Sequence, residues 1–351
     1  MRSTIKDVAK QAGVSIATIS RVLNKSDRVR PATRDRVLKI ARKLKYSPNA
    51  AARGLITRRT EGIGLLLPDL HGEFFSEIIR GADQTAQLAG FHLIVSSSHS
   101  SKEQIESALR LMHGRVDGLI VMSPLINSEI LLEHLPRSLP VVLLNTLASS
   151  RHYDCINTDG FAGARDMVNY LIRLGHRRIA MICGSVNNRE AIDRLRGYRA
   201  ALKANSIPHD PLLEISGDFS LAAGQRGMAQ ILQLRPNVTA VFAANDAMAI
   251  SAIAALREAG LRIPDDISVC GFDDIPVARY LQPALTSVHV PIRDLGFMSV
   301  ELILKRLQPE KRTGKTSQIH VATTLSVRAS CGPVAGVVMS RDQEKLKAGN
   351  Q

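Results

Sequence analysis

A chain of 351 residues, 45% hydrophobic and carrying a formal charge of +14, is long enough for two or three domains with proper cores. No apolar run is long enough to span a bilayer and the N-terminus lacks the apolar core of a secretory signal, so a cytoplasmic protein with no membrane partner is expected. Four scattered cysteines (Cys155, Cys183, Cys270, Cys331) with no CxxC argue against a disulfide framework or a zinc site.

The charge is local. Residues 1–60 hold 16 Lys and Arg against three Asp, whereas the other 291 residues hold 30 basic and 29 acidic side chains. A basic head on a neutral body predicts a polyanion held by the head alone. Within that head, Ile5, Val8, Ala9 and Ala12 fall on one stripe of a helix. Gly13 supplies a turn, and Ser15 is placed to cap a second helix whose inner stripe is Ile19, Val22 and Leu23. Ile16, Ala17, Thr18, Ser20 and Arg21 are left to face outward. Two helices, a glycine turn and a face of groove-sized side chains are the parts of a DNA-reading helix-turn-helix.

Pro31 then opens a third helix with Val37, Ile40, Ala41 and Leu44 on its inner face. The stretch NAAARGLI over 49–56 reads as a short helix, and 57–62, with Arg58 and Arg59, as an exposed linker. From Ile63 to about Ala329, short apolar runs alternate with helical stretches. Candidate strands are 63–67, 92–96, 118–122, 141–145, 179–183, 240–244 and 268–271, and candidate helices 75–90, 102–114, 162–174, 194–205, 221–233 and 247–258. Strands that are apolar throughout and alternate with helices imply parallel sheets covered on both faces. Their number exceeds one compact sheet, which predicts two lobes split near Gly160, with the chain crossing back near Pro291. Ligands of such sheets bind beyond the carboxyl ends of the strands.

The stretches IKDVAKQAGVSIATISRVLN, YSPNAAARGL, GFHLIV, RVDGLIV, LGHRRIAMI, RLRGYRAAL, AVFAANDAMA, IPDDISVCGFDD and PALTSVHVP occur in an order and spacing that resemble the LacI/GalR family of bacterial transcription regulators. The resemblance implies an N-terminal all-α helix-turn-helix DNA-binding domain followed by an α/β periplasmic-binding-protein-like body of two parallel doubly wound sheets. The expected divisions are a helix-turn-helix domain over 1–48, a hinge helix and linker over 49–62, an effector-binding and dimerisation body over 63–330, and a disordered tail over 331–351. In the body, lobe 1 takes about 63–159 and 291–312, and lobe 2 about 160–290 and 316–330.

By the same resemblance Ile16, Ala17 and Arg21 face base edges in the major groove, with Thr18 and Ser20 near phosphates and further DNA contacts from Thr4, Ser15 and Asn24. Arginine suits bidentate pairing to guanine, whereas Ile16 and Ala17 offer only apolar contact, for example to a thymine methyl. Asn49, Ala52, Arg53 and Leu55 match a hinge helix that enters the minor groove, Leu55 being the wedge between base pairs. The resemblance places Phe75, Asn145, Asp159, Arg194, Phe219, Asn245, Asp246 and Asp273 around a small effector. Carboxylates, amides, one arginine and aromatic faces at strand ends suit a neutral polyol better than a phosphate. Each of these residues competes with a plain capping role.

Other chemistry is thin. GFAG over 160–163 is not a phosphate loop, no GxGxxG follows the first strand, and the ten histidines show no pair at metal spacing. No enzymatic activity, cofactor or metal is expected. The final stretch has no leucine heptads, which makes a homodimer on a pseudo-palindromic operator the default. The expectation is a repressor whose operator affinity is controlled by a sugar or related metabolite. The alternatives are control by a purine or nucleoside, and a solute-binding protein, which would not carry so basic a head.

Overall fold

The computed structural model describes residues 4–23, 28–46, 59–99, 101–124, 128–146, 152–234, 237–308 and 315–334. The chain divides into two units, Met1–Glu61 and Gly62–Gln351. The first contains α1 (Ile5–Ala12), α2 (Ile16–Leu23) and α3 (Pro31–Lys43). Thr4 and Asp7 form a capping box: the Thr4 hydroxyl accepts from the Asp7 amide, and the Asp7 carboxylate accepts from the Thr4 amide at 2.8 Å. Gly13 ends α1 at φ 61°, a left-handed conformation that glycine adopts at little cost. The Ser15 hydroxyl then accepts from the Thr18 amide at 3.1 Å and starts α2. Val8, Ile19 and Val37, one from each helix, are fully buried at the centre of this small core.

The second unit is built on two six-stranded sheets. The first carries β1 (Gly62–Leu67), β2 (His92–Ser97), β3 (Gly118–Met122), β4 (Val141–Leu144), β5 (Asp154–Thr158) and β11 (Gln318–Val321), in the order β11-β5-β4-β3-β1-β2. The second carries β6 (Ile179–Ile182), β7 (Glu214–Ile215), β8 (Ala240–Ala243), β9 (Ser268–Asp273), β10 (Thr286–His289) and β12 (Thr324–Ser326), in the order β12-β10-β9-β8-β6-β7. All pairings are parallel except β10 with β12. The inner strands β1, β3, β4, β6 and β8 are buried at every position, as strands covered by helices on both faces must be. Each fully buried Leu, Ile or Val there contributes about 1.5–3 kcal/mol.

Lobe 1 is covered by α4 (Glu73–Leu88), α5 (Lys102–Met112), α6 (Ser128–His134) and the late helix α11 (Ile292–Leu307). A Cβ at Gly81 would strike the Arg293 carbonyl and one at Gly296 the Ile78 carbonyl, so α4 and α11 touch backbone to backbone. Lobe 2 is covered by α7 (Gly160–Arg173), α8 (Arg189–Ala204), α9 (Leu221–Ile231) and α10 (Asp246–Glu258). Among the described residues no helix is long and apolar enough to cross a membrane.

Three expectations are corrected. Gln318–Val321 was expected in lobe 2; it pairs with Cys155–Thr158 in lobe 1, and only then does the chain return to lobe 2 at Thr324–Ser326. The strands at 154–158, 214–215, 286–289, 318–321 and 324–326 were missed, because they are short, polar or at sheet edges. The tail was expected to begin at Cys331, yet Cys331 is buried and its neighbours strap onto lobe 2. Gly332 donates to the Ser268 hydroxyl at 3.0 Å, Val334 to the Leu174 carbonyl at 3.0 Å, and His176 Nε2 lies 3.0 Å from the Gly332 carbonyl. A carbonyl only accepts, so His176 donates there and its Nδ1 accepts from the Thr239 hydroxyl, 3.0 Å away. Burial pushes this imidazole below its usual pKa, consistent with the neutral form. Residues 335–351 lie outside the described residues.

Candidate functional site

The outward face of α2 is made of Ser15, Ile16, Ala17 and Arg21, all exposed, with Thr18 and Ser20 half-buried beside them. Ile16 is 44% exposed, a large aliphatic side chain that the head's own core leaves on the surface. Its neighbours Ile19 and Val22 turn the other way and are buried. Thr4 stands exposed at the N-terminus of α1, beside its cap. Asn24, Asn49, Ala52, Arg53 and Leu55 lie outside the described residues.

In the body, the expected ligand residues gather at the carboxyl ends of the strands of both lobes. Their centre is Arg194, in the second turn of α8 and 2% exposed. Asn188 caps this helix by accepting from the amides of Glu190 and Ala191, so α8 begins at Arg189, five residues earlier than expected. That start places Glu190 one turn before Arg194 on the same face. Arg194 Nη2 donates to Asp273 Oδ1 at 3.0 Å and to Glu190 Oε2 at 3.3 Å, and Nη1 donates to the Ala244 carbonyl. The guanidinium lies over the Phe272 ring, 3.8 Å from its centroid, and 5.6 Å from that of Phe219. Burial pushes the Asp273 carboxyl up to about 7; Arg194 opposes that shift and Glu190 adds to it.

The network crosses between the lobes. The Thr158 hydroxyl, at the end of β5 in lobe 1, donates to Glu190 Oε1 at 3.1 Å. The Thr158 amide donates to Asn145 Oδ1 at 2.9 Å, which ties the end of β4 into the same chain. Among the described residues the lobes are joined elsewhere too: Arg189 donates its amide to the Pro124 carbonyl at 3.3 Å, and Val277 to Glu73 Oε2 at 2.9 Å. Phe75 follows Glu73 in the first turn of α4, packed edge to face on Phe74 at 5.4 Å.

Among the described residues, buried polar atoms without a hydrogen-bond partner at these strand ends include Ser123 Oγ, Asn145 Nδ2 and Thr146 Oγ1 from lobe 1 and Arg194 Nε from lobe 2. An unmet buried polar group costs about 1–3 kcal/mol, which makes a cluster of them a sign of a missing partner. These are two hydroxyls, an amide and one guanidinium N–H, all able to donate a hydrogen bond, and the Phe219 ring lies 5.6 Å from that guanidinium. Nothing in this arrangement pairs a nucleophile with a base.

The other expected residues divide by what already occupies them. Asp159 caps α7, accepting from Ala162 at 2.9 Å, and stays exposed. Asn245 caps α10 and donates to the Phe219 carbonyl at 3.0 Å, so it fixes the loop that carries that ring. Asp246 is withdrawn as a ligand contact. It is fully buried, its oxygens accept from the Ser287 hydroxyl at 2.6 Å and the Ile275 amide at 2.8 Å, and burial together with nearby Asp273 raises its pKa well above the usual range. Sequence reasoning missed Ser123, Thr146, Thr158 and Glu190. Only Glu190 carried a signal, as an acid four residues before an arginine on a helix; the others look like ordinary strand-end residues.

Comparison with known proteins follows these two regions. Residues 4–49 match the family model of bacterial regulatory proteins, lacI family, and residues 168–331 match a periplasmic binding protein-like domain. An HTH-type transcriptional repressor PurR from Edwardsiella ictaluri is 38% identical over 322 residues, covering 91% of this chain and 94% of its own. The lac repressor dimer bound to operator and the anti-inducer ONPF superposes with a TM-score of 0.85 at 30% identity, covering 95% of this chain and 100% of that one. A transcriptional regulator CelR–cellobiose complex gives a TM-score of 0.69 at 32% identity, covering 94% and 100%.

Proposed function

The chain belongs to the LacI family of bacterial regulatory proteins, and from that premise we propose that it is a dimeric repressor whose operator affinity is set by a small sugar or related metabolite bound between its lobes. Recognition of DNA falls to α2. Arg21 supplies the fork that pairs with guanine, Ile16 and Ala17 supply apolar contact in the major groove, and Ser15, Thr18 and Ser20 lie within reach of phosphates. Thr4 and Asn24 add backbone contacts. Asn49, Ala52, Arg53 and Leu55 form the hinge segment, with Leu55 as the minor-groove wedge.

The observation that carries the effector reading is the cluster of unpartnered Ser123, Asn145, Thr146 and Arg194 atoms at the strand ends. Asn145 Nδ2 and Arg194 Nε only donate and the two hydroxyls do either, so the hydroxyl oxygens of a polyol can answer all four, and the cellobiose carried by a relative has that chemistry. Such a ligand bridges Asn145 of lobe 1 to Arg194 of lobe 2 and so changes how the lobes sit on each other. In a dimer that change alters the spacing of the two heads, and with it the affinity for a two-fold operator.

Two experiments test this. A thermal-shift screen of the full chain against neutral sugars, sugar phosphates and nucleosides is expected to single out neutral sugars, since a ligand of the folded state raises its melting temperature. A gel shift with genomic fragments is expected to show tight binding by the full chain and none by a chain lacking residues 1–61. Equal binding by the truncated chain rules the reading out.

A further inference from the structure

Resting on the assignment of the cleft as the effector site, we propose that Glu190 sets the charge class of the ligand, closing the cleft to phosphorylated and carboxylated molecules. An arginine recognises an anion through two parallel N–H groups, most often as a fork. Arg194 has no fork to offer: Nη1 is held by the Ala244 carbonyl, Nη2 by Glu190 and Asp273, and one face by Phe272. Of its five N–H groups, Nε and one on Nη1 remain, and these lie on different sides of the guanidinium, so they suit separate hydroxyls rather than a fork.

Glu190 also occupies the place an anion would need. Its two oxygens are engaged by different lobes, Oε1 by Thr158 and Oε2 by Arg194, which fixes the carboxylate between them. A phosphate seated at Arg194 would lie beside two carboxylates, Glu190 and Asp273, which both accept from the same Nη2. The remaining unpartnered groups, Ser123, Asn145 and Thr146, are uncharged, so Arg194 is the one cation beside them, and its charge is already met by Glu190 and Asp273. Charge in the cleft is therefore balanced or negative, and the positive charge of Arg194 serves to order its neighbours. Replacing Glu190 by glutamine removes the barrier while keeping the shape and one acceptor.

The test uses the full chain and inorganic phosphate at matched ionic strength, read as the change in melting temperature. Wild type and Arg194→Lys are expected to respond alike, because phosphate then acts only outside the cleft. Glu190→Gln is expected to gain a further upward shift of about 2 °C or more, lost again in Glu190→Gln/Arg194→Lys. Glu190→Ser, which removes the carboxylate with a shorter side chain, is the second variant and is expected to show the same gain if the glutamine variant does not fold. The proposal is overturned if Arg194→Lys reduces the wild-type response to phosphate, or if neither Glu190 variant gains. Cellobiose and ribose run beside it separate this assignment from the sugar reading. If neither neutral sugar, nor any other in a wider panel, stabilises wild type while the phosphate results hold, the sugar reading fails and the role of Glu190 stands.

Discussion

The two lobes share one architecture but bring opposite kinds of side chain to the cleft. Lobe 2 brings charges that are matched within the lobe, Arg194 with Glu190 and Asp273. Lobe 1 brings neutral groups, Ser123, Asn145 and Thr146, whose buried atoms have no partner. The difference teaches that the site is ordered from one side and completed from the other. Lobe 2 is a preorganised wall whose charges hold its own shape, while the unmet hydrogen-bonding capacity that a ligand can satisfy lies mostly in lobe 1.

The strongest way to break this comparison is to remove the charge at its centre. Arg194→Leu leaves Glu190 and Asp273 facing each other without a cation, and is expected to cost about 3–5 kcal/mol of stability in urea unfolding. A loss below about 1 kcal/mol would mean that the network does not order lobe 2. Substitutions in lobe 1 are expected to behave the other way. Ser123→Ala and Thr146→Val each remove an unpartnered hydroxyl, so the urea midpoint of the ligand-free protein stays or rises. The affinity for the sugar found by screening falls by about 5–10-fold in calorimetry, the worth of one hydrogen bond. If the same substitutions destabilise the ligand-free chain, those hydroxyls have structural partners and the contrast between the lobes collapses.

Two smaller effects sharpen the picture. Thr158→Val removes the hydroxyl that reaches across to Glu190, and is expected to cost under about 1 kcal/mol, because other hydrogen bonds, Arg189 to Pro124 and Val277 to Glu73, also join the lobes. Asp273 gives the smallest effect, a slope with pH. Its carboxyl is raised from 3.8 to about 7 by burial, so the folded state holds its proton more tightly than the unfolded chain. The stability this contributes is full below about pH 4 and is lost as pH rises through about 7. Asp273→Asn, which carries no titrating proton, is therefore expected to gain in melting temperature relative to wild type between pH 5 and pH 8. A gap that stays constant over that range contradicts the assignment.

How far the sequence foretold this molecule varies with the kind of residue. The inner strands were legible because Gly62–Leu67 and Gly118–Met122 are apolar at every position and can only be buried on both faces. Asp154–Thr158 was not, because its Asp154 is chosen for Arg306 and its Thr158 for Glu190, partners 152 and 32 residues away. The same holds at the site. Arg194 and Asp273 carry motif and charge, and the fold brings them together at 3.0 Å, a pairing that the sequence did not reveal. Asp246 carries the same chemistry at a helix start, and only the position of Ser287 and Ile275 reveals that it points inward. Ser123 and Thr146 became visible only once the fold buried their hydroxyls without a partner.

Coupling between the cleft and the DNA-reading head is what the proposed function requires, and one pair of titrations tests it most directly. A fluorescent operator duplex, recovered from genomic fragments by the full chain, is titrated with protein at increasing concentrations of the stabilising sugar. The same sugar is titrated calorimetrically into protein with and without that operator. Reciprocity requires the sugar to change operator affinity by the same factor by which operator changes sugar affinity, about 5–150-fold for typical coupling. Agreement between the two factors is the predicted result. A sugar that fills the cleft yet leaves operator affinity unchanged, and binds equally well with and without DNA, would contradict the account.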